Sequence, residues 1–191
     1  VNNFEIIKYE FITNDYPIEL KYIHWSRIYE WKYVLDKLKE IKPNSIHNTA
    51  CGGLNYGDCL HLTFCNDIEQ YSNNVIHSDV WGRLNYIGIE KKPEKENFIF
   101  YDILVPNSNS FDVVLNISTI EHLNGDDILL AFDNLYNQVN SGGHLILTFD
   151  YPDVNLNIIN KRIDATPLNF SNRILNKNEL SVVLLHIKKE E

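Results

Sequence analysis

The sequence predicts an α/β architecture: a doubly wound, mostly parallel sheet of about six or seven strands with helices on both faces. Two observations carry that expectation. Between residues 45 and 150, short apolar runs alternate with segments whose apolar residues recur at three- and four-residue steps. The strongest runs, Phe111–Ile117 and His144–Phe149, are near-continuous rather than alternating, as strands are when both faces of a sheet are covered. The 191 residues suit one domain, expected to comprise an N-terminal helical cover (1–44), a core (45–150) and a closing stretch of loops with a last strand (151–191).

The elements follow in order. From Trp25, the spacing of Ile28, Trp31, Leu35, Leu38 and Ile41 predicts a helix, which Lys42-Pro43-Asn44 stops because proline cannot continue the hydrogen-bond ladder. Ser45–Ala50 forms a short strand that runs into the glycine turn Cys51-Gly52-Gly53. Leu60, Phe64, Ile68 and Tyr71 share one helical face, with Gly57-Asp58 as the start. Strands are expected at Tyr86–Glu90, Phe98–Asp102 and Phe111–Ile117. Ile128, Leu129, Phe132, Leu135, Tyr136 and Val139 define an amphipathic helix stopped by Ser141-Gly142-Gly143. His144–Phe149 is the next strand and Ser181–Ile187 the last.

Composition narrows the function. Hydrophobic residues make up 44% and charged residues 23%, enough to bury a real core. No run of about 18 apolar residues occurs, so no membrane span is expected. Val1–Glu5 has neither a basic nor an apolar leader pattern, so no signal peptide is expected. With 17 Lys and Arg against 26 Asp and Glu, the net charge of −9 repels phosphate backbones and argues against general nucleic-acid binding. Three cysteines, Cys51, Cys59 and Cys65, are too few for a disulfide scaffold, and a reducing cytoplasm is expected.

In such a sheet, ligands bind beyond the carboxyl ends of the strands, where strand order reverses. Ala50-Cys51-Gly52-Gly53 would let backbone approach a ligand there. Glu90 is either an acid that accepts two hydrogen bonds from a ribose diol or a solvated acid beside Lys91 and Lys92. Asp102 is either an acceptor for an adenine amino group or a cap for the following turn.

The order of Tyr86–Glu90, Tyr101-Asp102-Ile103-Leu104, Ser110-Phe111-Asp112-Val113-Val114, Glu121-His122-Leu123 and Ser141-Gly142-Gly143 resembles the class I S-adenosylmethionine-dependent methyltransferases. Residues 45–150 carry the resemblance, and Ser110–Thr148 is its most specific part. It implies a Rossmann-like methyltransferase fold, a cofactor-binding core at 45–150 with substrate-side loops after it, S-adenosylmethionine as cofactor and S-adenosylhomocysteine as product. It further implies that Asn48, Ala50, Cys51, Gly52 and Gly53 lie against the methionine end of the cofactor, with Glu90 on the ribose. Asp102 and Ile103 would contact the adenine, and Asn116 and Ile117 the amino group and sulfonium. Asn48 stands where the family has an acid, and Ala50 where it has the first glycine. Asp79, closing Val75–Val80, is the alternative ribose ligand to Glu90, which is preferred for its short link to Tyr101-Asp102.

The expected function is methyl transfer to oxygen or nitrogen of a small-molecule acceptor, with homo-oligomerisation left open. A methyltransferase-like binding or assembly module without catalysis is the second reading, and a nicotinamide dehydrogenase, whose glycine fingerprint is incomplete here, the third. His122 and Asp150 are candidate bases, while His144, behind a Gly-Gly turn at the far end of its strand, reads as structural. Arg27 and Tyr29 either meet the cofactor or substrate or belong to a helix packing its tryptophans on the sheet. Cys51, Cys59, His61 and Cys65 are spaced C-x7-C-x-H-x3-C, which matches no common zinc knuckle, so no metal site is expected and buried thiols are the reading.

Overall fold

The computed structural model describes residues 5–7, 25–52, 60–81, 92–151, 169–177 and 180–190. In chain order the elements are β1 (Glu5–Ile7), α1 (Trp25–Ile41), β2 (Ile46–Thr49), α2 (Leu60–Glu69), β3 (Val75–Asp79), β4 (Phe98–Phe100), β5 (Phe111–Ile117), a 3₁₀ turn (Ile120–His122), α3 (Gly125–Asn137), β6 (Val139–Tyr151), β7 (Asn169–Lys177) and β8 (Leu180–Lys188). Helix α1 ends where the sequence stops it. Lys42 turns to φ 53° and donates its N–H to the Leu38 carbonyl at 2.9 Å, and Pro43 follows.

The strands form one sheet in the order β1-β7-β8-β6-β5-β2-β3-β4. All neighbours are parallel except β8, which runs antiparallel to both β6 and β7. Order reverses between β2 and β5: β3 lies on one side of β2, and the chain returns to its other side with β5. That reversal is the switch point at which a doubly wound sheet opens a crevice.

Both faces are covered, as the near-continuous apolar runs require. Ile46, Val75, Val113, Leu115 and Ile146 pack on one face with Tyr33, Val34 and Leu38 of α1 and Phe64 and Ile68 of α2. Val114, Leu145, Leu147 and Phe149 pack on the other with Ile128, Ala131, Phe132 and Leu135 of α3. Burying each such side chain contributes about 1.5–3 kcal/mol before the entropy of ordering it.

Four expectations need correction. The strand beside β2 is Val75–Asp79 and not Tyr86–Glu90, which lies outside the described residues. Three of its buried residues, His77, Ser78 and Asp79, are polar, so an apolar-run criterion passes over them. Among the described residues the sheet has eight strands, where about six or seven are expected. The stretch after Pro152 supplies two of them, β7 and β8 paired as neighbours, and the stretch before residue 44 supplies β1 as well as a helix. Finally, α3 ends at Asn137, and Val139 with Ser141-Gly142-Gly143 belongs to β6. There the register shifts between the Phe111–Val139 and Val113–His144 pairs, and a Cβ on Gly143 would fall 2.7 Å from the Asp112 carbonyl oxygen.

Candidate functional site

The carboxyl ends of β2 and β3 meet at the switch point. Beyond Thr49 the backbone turns sharply, with Ala50 at φ 51° and Gly52 at φ 85°, both in the left-handed region. The turn is fastened to β3 on three sides. Cys51 donates its N–H to the Ser78 carbonyl at 3.0 Å, Gly52 donates to Asp79 Oδ2 at 2.8 Å, and Trp81 Nε1 donates to the Gly52 carbonyl at 3.1 Å.

Asp79 therefore closes β3 with a carboxylate held by two backbone donors, Gly52 on Oδ2 and Val80 on Oδ1 at 2.7 Å. Burial pushes its carboxyl above the usual range, against the opposing pull of those two N–H groups. Next to it, Tyr101 donates its N–H to the Asp79 carbonyl at 3.0 Å, and Phe100, in register with Asp79, is 58% exposed. The edge of the site thus offers an acid and an exposed aromatic residue side by side.

The other expected residues fall into three groups. Ala50, Cys51 and Gly52 are gathered at the turn, with Asp79 rather than Glu90 as the adjoining strand-end acid; Gly53 and Glu90 lie outside the described residues. Asp102 Oδ1 accepts the Leu104 N–H at 3.0 Å, which is the turn-capping arrangement, and Ile103 beside it is buried. Asn48 points inward: its amide nitrogen lies 3.1 Å from His77 Nδ1 and 3.6 Å from Cys65 Sγ, and the residue is 2% exposed.

At the end of β5, Asn116 is fully buried and donates from Nδ2 to Thr49 Oγ1 at 3.0 Å, while Thr49 Oγ1 donates to the Leu115 carbonyl at 2.7 Å. The Asn116 Oδ1 atom has no hydrogen-bond donor among the described residues. An orphaned buried acceptor costs about 1–3 kcal/mol. Ile117 is half-buried beside it. His122 is exposed on the 3₁₀ turn that follows, and Asp150 lies near the carboxyl end of β6.

A cluster the sequence reading missed stands at the ends of β5 and β6. Glu30 of α1 is fully buried, and its Oε1 accepts from Ser118 Oγ at 2.6 Å and from Thr148 Oγ1 at 2.7 Å. Its Oε2 pairs with Arg27 at 2.5 Å, and Arg27 also donates to Ser118 Oγ. Ser118 sits at φ 44°, a strained conformation for a non-glycine residue, held by its N–H to the Thr148 carbonyl at 2.8 Å. Glu30 at a helical position reads as an ordinary solvated acid, because nothing local announces hydroxyl partners 88 and 118 residues away.

No family model matches the sequence, and no curated protein does either. Solved structures do match the fold. The magnesium protoporphyrin IX methyltransferase ChlM from Synechocystis, with bound S-adenosylmethionine, aligns with a TM-score of 0.65 at 13% identity, over 93% of this chain and 86% of its own. The N-methyltransferase NodS from Bradyrhizobium japonicum, in complex with S-adenosylhomocysteine, gives 0.61 at 15% identity, over 94% of both chains. An rRNA methylase from Streptococcus thermophilus gives 0.54 at 17% identity, over 83% of this chain and 95% of its own. The chain has the fold of the class I S-adenosylmethionine-dependent methyltransferases.

Proposed function

We propose that the chain is an S-adenosylmethionine-dependent methyltransferase that methylates oxygen or nitrogen of a small-molecule acceptor and releases S-adenosylhomocysteine. The observation that carries the reading is Asp79, a buried carboxylate at the end of the strand next to the switch point, fixed by the β2 turn. Each of its oxygens accepts one backbone N–H and keeps a second lone pair, so the two free acceptor positions suit the hydroxyls of a ribose diol. Asp79 takes precedence over Glu90 because Val75–Ser78 pairs with all of β2, Ile46–Thr49, which sets Asp79 one residue beyond the end of that pairing.

The remaining residues fit the same ligand. Ala50 and Gly52 carry backbone close to its methionine end, and Asp102 and Ile103, just past β4, border the adenine side. Asn116 Oδ1 supplies a buried acceptor for an ammonium or amine N–H, and Ile117 offers an apolar wall. When bound, the cofactor supplies an electrophilic methyl group. The chain contributes alignment, holding the acceptor in line behind that group and excluding water. His122, exposed beyond β5, takes the acceptor proton where the acceptor is protonated, with Asp150 at the end of β6 as the other candidate.

The net charge of −9 favours a cationic cofactor and a small acceptor over a polyanion. Among the described residues no helix is long and apolar enough to cross a membrane. A second reading, a binding module without turnover, draws on Asn48, whose amide is spent on His77 and Cys65 in the place where the family has an acid.

The test is transfer of labelled methyl from S-adenosylmethionine to a panel of small amines, phenols and carboxylic acids, with S-adenosylhomocysteine measured alongside. Label in an acceptor, lost in Asp79→Ala, supports the enzyme. Tight cofactor binding with no product from any acceptor supports the module, and no binding of either cofactor form overturns both readings.

A further inference from the structure

Helix α1 packs on the sheet through Tyr33, Val34 and Leu38, and one turn earlier it buries a carboxylate instead. Glu30 Oε1 accepts from Ser118 Oγ and from Thr148 Oγ1, and Oε2 pairs with Arg27, so one acid ties the helix to the ends of two strands. Taking a carboxylate and a guanidinium out of water is costly, and apolar side chains of similar volume would often pack such a face as well. What a satisfied buried polar network adds is a single arrangement of its members.

That arrangement lies at the exit of β5. Ile117 and Thr148 form the last pair of the β5–β6 ladder, and Ser118, one residue further on, turns to φ 44°. A non-glycine residue holds this conformation only where its surroundings impose it. The Ser118 N–H donates to the Thr148 carbonyl at 2.8 Å and approaches Thr148 Oγ1 at 3.3 Å, while Ser118 Oγ donates to Glu30 and accepts from Arg27. A hydroxyl has one proton, so the bond to Glu30 fixes its orientation. From Ser118 the chain enters the 3₁₀ turn Ile120–His122, in which Ile120 is anchored in the core and His122 is exposed.

We propose that Glu30 is a positioning residue for the methyl acceptor: through Ser118 it sets the direction in which the chain leaves β5, and with it the placement of the turn that carries His122. The link to the acceptor rests on the function proposed above; control of the turn by Glu30 does not. Asn116 is paired with Thr49 and Leu147, and Ile117 with Thr148, so the ladder holds both when the Glu30 charge is removed. Asp79 is fastened separately, by the β2 turn. Removal of that charge therefore acts on turnover rather than on cofactor affinity.

The experiment compares the wild type with Glu30→Gln, which keeps the size of the side chain and one acceptor oxygen but not the charge. Both are also made in the background of Ser118→Gly, since glycine adopts a left-handed φ without strain. Hydrogen exchange of residues 118–123 reads the turn. Kinetics with the acceptor that takes label in the panel above, and titration with S-adenosylhomocysteine, read the site. In Glu30→Gln, exchange at 118–123 should be about tenfold faster while that of 111–117 is unchanged. The kcat should fall about tenfold, with affinity for S-adenosylhomocysteine within about twofold of the wild type. In the Ser118→Gly background the same substitution should change kcat by no more than about twofold, because two residues acting as one unit are not additive.

Unaltered exchange at 118–123, or an equal loss of kcat in both backgrounds, would overturn the proposal. So would a loss of cofactor affinity as large as the loss of kcat, which marks a role in general stability. Thr148→Val, which removes one hydroxyl and leaves the Arg27–Glu30 pair whole, takes the place of Glu30→Gln if that variant fails to fold, with the same readouts and the same criteria. Faster exchange at 118–123 in a protein that transfers no methyl group would support control of the turn while overturning the proposed function and the link to an acceptor.

Discussion

At the centre of the sheet, β2 and β3 bury mostly polar residues, His47, Asn48, Thr49, His77, Ser78 and Asp79 beside Ile46 and Val75, whereas the adjoining β5 and β6 bury mostly apolar ones, Val113, Val114, Leu115, Leu145, Ile146, Leu147 and Phe149 beside Asn116 and Thr148. The two regions share one sheet and are held by different forces. The apolar half depends on volume and close packing, which tolerate conservative exchange but not cavities. The polar half depends on directional partners. His47 Nδ1 lies 2.8 Å from Gln138 Oε1 and its Nε2 2.8 Å from Ser78 Oγ, and Gln138 Nε2 donates to Tyr101 Oη at 2.9 Å. A network of this kind specifies one arrangement and is costly when half satisfied. It also ends in a polar group, Asp79, at the carboxyl end of β3.

Substitutions on either side break the comparison in different ways. The largest effect is expected from Phe149→Ala, which empties a fully buried aromatic site between β6 and α3 and should cost about 3–5 kcal/mol in urea denaturation. Next comes Glu30→Ala, at about 3 kcal/mol by the same measurement, because Arg27, Ser118 and Thr148 lose a shared buried acceptor.

The polar half should show itself in pH dependence. Burial holds His47 down at about 4, against an ordinary value of 6.5. Its folded value lies below its unfolded one, so its contribution is complete above pH 6.5 and is lost as pH falls through 4. The difference corresponds to about 3 kcal/mol between neutral and acid pH. Comparing the stability of the wild type and His47→Gln at pH 7 and pH 4 isolates it; the variant should show a shallower acid loss, and an identical loss would remove His47 from the account. The smallest effect concerns the turn. Ala50 at φ 51° bears a left-handed strain that glycine does not, so Ala50→Gly should raise stability by about 1 kcal/mol in thermal unfolding.

The same contrast explains what could be read from the sequence. Phe111–Ile117 and the apolar run of His144–Phe149 announce themselves, as do the pattern of α3 and the Pro43 stop, because volume-driven burial leaves a hydrophobic period. Val75–Asp79 does not, since its buried side chains include His77, Ser78 and Asp79, whose burial depends on partners far along the chain. That is why Asp79 ranked behind Glu90. The Glu30 cluster was illegible for a similar reason. The turn at Ala50–Gly52 and the strand-end position of Asn116 were legible, as both follow from where a doubly wound sheet places its crevice.

The central claim is that Asp79, at the end of the polar strand, holds the ligand at the switch point. Calorimetric titration of S-adenosylhomocysteine into the wild type, Asp79→Ala and Glu90→Ala tests it directly. The account predicts binding that survives Glu90→Ala and falls at least tenfold in Asp79→Ala, with the fold of both variants verified by circular dichroism. Binding that survives Asp79→Ala and is lost in Glu90→Ala would contradict it.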